Sequence, residues 1–418
     1  MKVKAVKARE ILDSRGIPTI ETYVTLEDGT TAKGAVPSGS STGSREAFEL
    51  RDNDPTRHLG KGVLTAVTNV NTSITKTITS RTFREQSELD NTLIELDGTD
   101  NKSSLGGNAI LSVSMAFCKA TAMSRQIPLY RYFMELSGTT ELTNPQLAVL
   151  IMEGGKHGNW ATDFQEYMVI PKREKFPQIK ESLRVGAEIF HATHDILVDK
   201  GYSATVGLEG AFAPQEIESN TEAFEIILSG IEKAGYAPED EILLGIDAAA
   251  SEFFEDGTYQ LKREQKVLSP DEWIDLQCKW YSDYPIWLIE DSLDEEDWDS
   301  WVKLTAKIGS TKQIVGDDLL TTNTKQIQKA IDLKAVNSVL IKINQIGTIT
   351  ETLQAIELSH NAKFKTIISH RGGETNDDLI ADLVMGTDSW QTKFGGPDRG
   401  ERLAKYNRLL EIEEGINL

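Results

Sequence analysis

The chain has 418 residues, 39% of them hydrophobic and 26% charged, with 65 acids against 44 bases and a formal charge of −21. These proportions suit a globular protein with room for two domains and a large core, and the acidic balance speaks against nucleic acid as a partner. Cys118 and Cys278 are too few for a disulfide framework and read as core residues. With no signal-like apolar region at the start and no run near the ~18 apolar residues of a membrane span, the reading is a cytoplasmic protein with no membrane partner.

The N-terminal part reads as an antiparallel meander with strands near 3–11, 18–26 and 30–36, because Ile20, Thr22, Val24 and Leu26 alternate with Glu21, Tyr23 and Thr25 before an Asp28-Gly29 turn. Ala35-Val36-Pro37-Ser38-Gly39-Ser40-Ser41-Thr42-Gly43-Ser44 is too small and polar to pack, and reads as a mobile loop. From about 60 to 135 apolar residues such as Ile110, Val113, Phe117 and Ala120 recur at helical spacing, which predicts helices covering the sheet. The polar stretch Ser137–Pro145 places a domain boundary there, dividing the chain into residues 1–138 and 139–418.

Beyond it, short apolar runs alternate with amphipathic helices, the pattern of a βα repeat. Candidate strands lie at 147–152, 165–170, 242–247, 285–290, 313–317, 337–342, 365–369 and 389–393, and this count predicts a barrel. Capping boxes at Ser219–Glu222, Ser269–Glu272 and Thr348–Glu351 announce three of the intervening helices.

Ionisable residues close successive strands: Asp247, Glu290, Asp317 with Asp318, Lys342, His370 with Arg371, and Lys393. In a βα barrel those ends converge on one face, where active sites lie. Asp247, Glu290 and Asp317 form an all-oxygen set suited to Mg²⁺. Any one of them alone reads as a cap or salt-bridge partner; their common register argues for a site. Lys342 is set in the apolar run Val339–Ile343, where an ammonium is costly to bury. Burial, Lys393 and a nearby metal would all favour the neutral amine, which is what a general base needs.

The combination of Ser38–Gly43, Gly154-Gly155-Lys156-His157, Phe164-Gln165-Glu166, Ala248–Phe253, Ile289-Glu290-Asp291, Gly316-Asp317-Asp318, Ile341–Gly347 and Ser369-His370-Arg371 resembles the enolase family, in one order across nearly the whole chain. The resemblance implies an N-terminal α+β cap domain followed by an enolase-type (β/α)8 barrel beginning ββαα. It implies a small phosphorylated acid as substrate, reversible loss of water from 2-phosphoglycerate, and at least a homodimer.

By position, Lys342 would remove the C2 proton, Glu209 would act as acid on the C3 hydroxyl with help from Glu166, and Lys393 would neutralise the substrate carboxylate. Asp247, Glu290 and Asp317 would hold a first Mg²⁺. A second would bridge phosphate and the backbone of Ser41, with His157, His370, Arg371 and Gly372 on the phosphate side.

Several positions depart from the family pattern, among them Gly158 after His157 and Gly396. Glu153 replaces an asparagine, Leu208 an acid, Gly372 a serine, and Phe394-Gly395 the usual Thr-Gly after Lys393. Leu208 predicts a raised pKa for its neighbour Glu209 through desolvation. His157, set among glycines, reads as an exposed loop residue. These changes leave three readings: a working enolase, a paralogue acting on another phosphorylated or phosphonylated 2-hydroxy acid, and a binding protein without turnover.

Overall fold

The N-terminal meander forms where alternation predicts it. In the computed structural model, which describes residues 1–39 and 45–415, β1 (Val3–Leu12), β2 (Pro18–Leu26) and β3 (Thr31–Ala35) pair antiparallel in that order. Ile20, Thr22, Val24 and Leu26 are buried, and Thr22 meets Ser112 of the helix Gly107–Ser124 at 2.6 Å between hydroxyls. Sheet and helix approach so closely that a Cβ at Gly34 would lie 2.6 Å from that of Met115. Before this helix, residues 64–78 are not one regular helix: a π-helical turn, Val70–Ile74, interrupts it. Cys118 is buried as expected, whereas Cys278 is half-exposed.

Among the described residues, eight strands close into a barrel: β4 (Gln146–Glu153), β5 (Glu166–Pro171), β6 (Ile242–Asp247), β10 (Ile286–Glu290), β11 (Gln313–Gly316), β12 (Ser338–Ile341), β13 (Lys365–Ser369) and β14 (Gln391–Lys393). β5 runs antiparallel to both β4 and β6, and the other pairs are parallel. Two helices, Ile179–Lys200 and Asn220–Lys233, separate β5 from β6, so the barrel opens ββαα.

Strand periodicity sorts the apolar residues. Ala148, Leu150, Met168, Ile170, Leu288, Val315, Leu340 and Ile367 fill the barrel interior, while Leu147, Val149 and Ile151 belong to the core shared with the helices. The hydroxyls of Ser219, Ser269 and Thr348 each accept a hydrogen bond from the backbone N–H three residues on, as the capping boxes predict. A small sheet that the sequence pattern does not announce, β7 (Phe254–Glu255), β8 (Thr258–Leu261) and β9 (Lys266–Leu268), follows β6.

The cap sits against loops at the active face. The backbones of Ser38 and Gly373 exchange hydrogen bonds of 2.7 and 2.9 Å, Ala47 N–H donates to Gln345 O at 2.7 Å, and Lys119 pairs with Asp377 at 2.7 Å.

Candidate active site

Strand register collects the carboxylates. Glu153 pairs with Glu166, Glu166 with Asp247, and Asp247 with Glu290, so four acids stand side by side at one rim. Because β5 is reversed, its first residue, not its last, lies level with the ends of its neighbours. Lys393 closes β14, while Asp317, Lys342 and His370 each follow the last residue of their strand.

Lys393 Nζ lies 2.7 Å from Glu290, 3.0 Å from Asp247 and 3.1 Å from Glu166. Lys342 Nζ donates to Asp317, whose other oxygen accepts from Gln345 at 2.9 Å. Thr322 ties this arrangement together, accepting from Lys342 N–H at 2.9 Å and donating to Gln345 at 2.8 Å. Burial disfavours both ammonium groups, yet the carboxylates outweigh it: Asp317 leaves Lys342 above the ordinary lysine range, and Asp247, Glu166 and Glu290 leave Lys393 well above it. The lowered pKa expected of the two lysines is therefore overturned wherever those carboxylates face them.

The acids divide in the same way. Burial and Asp247 push Glu290 well above the usual carboxylate range, and burial and Glu209 do the same to Glu166. Burial works against Asp317 too, but Lys342 and Lys393 hold it below.

Asp247 Oδ2 and Glu290 Oε1 converge on a single ammonium, and Glu290 Oε2 is buried without a hydrogen-bond partner among the described residues. A rim of hard oxygen donors crowded by like charge fits a divalent cation such as Mg²⁺. Asp291, Asp317 and Asp318 also lie close together. Asp291, however, accepts the backbone N–H groups of Asp317 and Asp318 at 2.9 and 2.8 Å, and so anchors that turn.

Glu209 comes from the loop before the helix Asn220–Lys233 and is 1% exposed. His157 Nδ1 lies 3.3 Å and His370 Nε2 3.6 Å from the same oxygen, Glu209 Oε2. Burial opposes ionisation, but His157, His370 and Arg402 hold Glu209 well below the usual carboxylate range, contrary to the rise expected from Leu208. A proton is therefore favoured on Glu166 by burial and Glu209, and disfavoured on Glu209 by the basic groups around it.

His157 is buried, not exposed, because its loop folds back through Gly154 N–H to Gln165 O and Gly155 N–H to Thr162 O, at 2.9 and 3.0 Å. Arg371 meets Glu46 through both terminal nitrogens, at 3.0 and 3.1 Å, and Asn344 at 3.1 Å. His157, Glu166, Glu209, Lys342, His370, Arg371, Gly372 and Lys393 line one cavity with Gln165 and Ser369. Ser41 lies outside the described residues.

Several residues of the site are not among the candidate residues read from the sequence. Glu153, noted in the sequence only as a departure, accepts the Glu209 N–H on both oxygens at 3.3 and 3.0 Å. Glu46 and Gln345 hold Arg371 and Asp317 from outside the barrel strands, and Arg402 sits in a polar C-terminal helix. Gln345 falls within the quoted Ile341–Gly347 run, which is the one sequence clue to it.

A family model described as the enolase N-terminal domain matches residues 3–133. A second, described as the enolase C-terminal TIM barrel domain, matches residues 141–417. Reversed β5, the cap and the ring of strand-end charges are thus accompanied by a match along nearly the whole sequence, and the chain belongs to the enolase family.

Proposed function

We propose that the protein is a Mg²⁺-dependent hydro-lyase that interconverts 2-phosphoglycerate and phosphoenolpyruvate, as in glycolysis and gluconeogenesis. The observation that carries this is one cavity lined by two buried lysines with Glu166 and Glu209, the same lysines being paired to Asp317, Asp247 and Glu290.

Lys342 is the base. Asp247, Glu290 and Asp317 would hold a divalent cation, and with their charge taken up there, burial and the repulsion of Arg371 and Lys393 would favour the neutral amine of Lys342. Lys342 Nζ takes the C2 proton; the electron pair left on C2 spreads into the substrate carboxylate, where Lys393 offsets the added charge. Bound Mg²⁺ supplies Lewis-acid stabilisation of that charge.

As the C3–O bond breaks, that pair forms the C2=C3 bond and the hydroxyl leaves as water. Glu209 meets the departing oxygen with the proton held by Glu166. His157, His370, Arg371 and the backbone at Gly372 receive the phosphate side, and Ser41, which lies outside the described residues, would help the substrate to hold a second ion. The protein works as a homo-oligomer in the cytoplasm.

Ultraviolet detection of phosphoenolpyruvate formed from 2-phosphoglycerate tests the reading: turnover with Mg²⁺ that stops with chelator supports it, and a folded, Mg²⁺-binding protein without turnover sinks it. Glu153, Leu208 and Gly372 favour one second reading, a related enolate formed from another phosphorylated or phosphonylated 2-hydroxy acid. Losing one hydroxyl bond to a charged group at Gly372 costs about 1.5–3 kcal/mol, enough to shift preference without removing binding. Turnover of such an acid in preference to 2-phosphoglycerate would select it.

A further inference from the structure

Arg402 projects from the helix Gly400–Glu413 and is 0% exposed. Its guanidinium reaches two loops of the active face. Nη1 lies 2.6 Å from Arg371 O and 2.7 Å from His370 Nδ1; Nη2 lies 2.9 Å from Gly372 O and 3.1 Å from Leu208 O. These contacts join the loop that carries Glu209 to the loop that carries His370 and Arg371.

The contact with His370 decides a proton. An arginine side chain offers only donors and stays charged, so the ring nitrogen facing it at 2.7 Å must present a lone pair. The single ring proton of neutral His370 is then on Nε2, which faces Glu209 Oε2. The backbone that carries the ring is held, His370 backbone N–H donating to Lys393 O at 2.9 Å, and Gly395 packs so close that an added Cβ would lie 2.9 Å from His370 Cε1.

We propose that Arg402 is a positioning residue for the dehydration: it fixes His370 as the Nε2–H tautomer, so that Glu209 always faces a neutral donor and never an acceptor. This rests on the reading of Glu209 as the group that meets the leaving oxygen. The charged groups around the ring agree with a neutral imidazole. Arg402 from the last helix, Lys393 from β14 and Lys342 after β12 oppose its protonation, Glu209 from its loop favours it, and burial settles the balance well below the ordinary histidine range.

Long-range ¹H–¹⁵N spectra of the full-length protein labelled in histidine test this without turnover, so their outcome is separate from that of the substrate assay. The expected result is a pyridine-type Nδ1 and a pyrrole-type Nε2 for His370, unchanged between about pH 6 and 9. A proton on Nδ1, or an imidazolium in that range, overturns the proposal.

Arg402→Lys, checked by its melting temperature and Mg²⁺ titration, supplies the second arm. The expected result is a mixed His370 tautomer, kcat down about 10- to 100-fold with KM little changed, and an acid limb of the kcat profile moved to higher pH. An unchanged kcat, or a fall in kcat with the tautomer intact, refutes the role. If Arg402→Lys does not fold, the wild-type spectrum alone decides.

Discussion

The two sides of the cavity are built on opposite electrostatic plans. On one, Lys342 and Lys393 face Asp317, Asp247 and Glu290, so opposite charges keep both lysines and Asp317 ionised against burial, while burial and Asp247 still push Glu290 up. On the other, Glu153, Glu166 and Glu209 crowd together with two histidines, so burial and like charge push Glu153 and Glu166 up while the basic groups facing Glu209 hold it down. The first side stands on strand ends, whose positions the barrel fixes. On the second, Glu153 closes β4 and Glu166 opens β5, but Glu209, Leu208 and His157 hang on loops. A side anchored by hydrogen bonds between loops can exchange residues if its anchors are replaced, whereas a strand-end lysine has no substitute.

The largest expected effect comes from breaking the paired side. Lys342→Ala should lower kcat by about 10³-fold or more while leaving the circular dichroism spectrum and Mg²⁺ binding intact; unchanged turnover would remove Lys342 as the base. Next, Glu290→Gln should abolish most of the stabilisation that Mg²⁺ gives in calorimetry, which for a site at 100 times its dissociation constant is about 2.7 kcal/mol. An equal shift in variant and wild type would put the ion elsewhere.

On the crowded side, Glu209→Gln should cost about 10²-fold in kcat with Mg²⁺ stabilisation unchanged, because the proposed ligands of the first ion are Asp247, Glu290 and Asp317. Retained activity would pass the proton-handling role to Glu166.

The smallest effect sharpens the contrast through pH. Burial and Asp317 push the half-buried Asp318 up to about 8, far above its unfolded value near ~3.9. The folded protein then binds more protons than the unfolded chain between those values. This contribution to stability is full below about pH 4 and is lost as pH rises towards 8. In chelator, denaturant unfolding should show stability falling over that window, and Asp318→Asn should flatten the fall; a slope identical in the variant would rule Asp318 out as its source.

Much of the barrel is written in its sequence, since apolar runs and caps mark all eight strands and three helix starts, and the resemblance supplies the reversal of β5. The strand-end acids and lysines are legible for the same reason: period and register place them. Protonation is not legible in this way. Leu208 is the chain neighbour of Glu209, but His157, His370 and Arg402 are its neighbours in space, and they reverse the sign that Leu208 suggests. The lysines mislead likewise, because a run of apolar residues announces burial and is silent about the carboxylates across the barrel. The π-turn at 70–74 and the small sheet after β6 answer to local packing that has no periodic signature.

Reversing β5 also bears on how the barrel assembles. A parallel neighbour can be reached only after a long crossover, whereas β4 and β5 meet across the short loop 154–165, with Glu153 opposite Glu166. Chain closure is entropically cheapest at that corner, so it is the natural early contact of the barrel, and β14 must travel back to β4 to finish it. The corner that forms first already brings Glu153 and Glu166 together. Part of the active site is thereby a folding seed before it is a site.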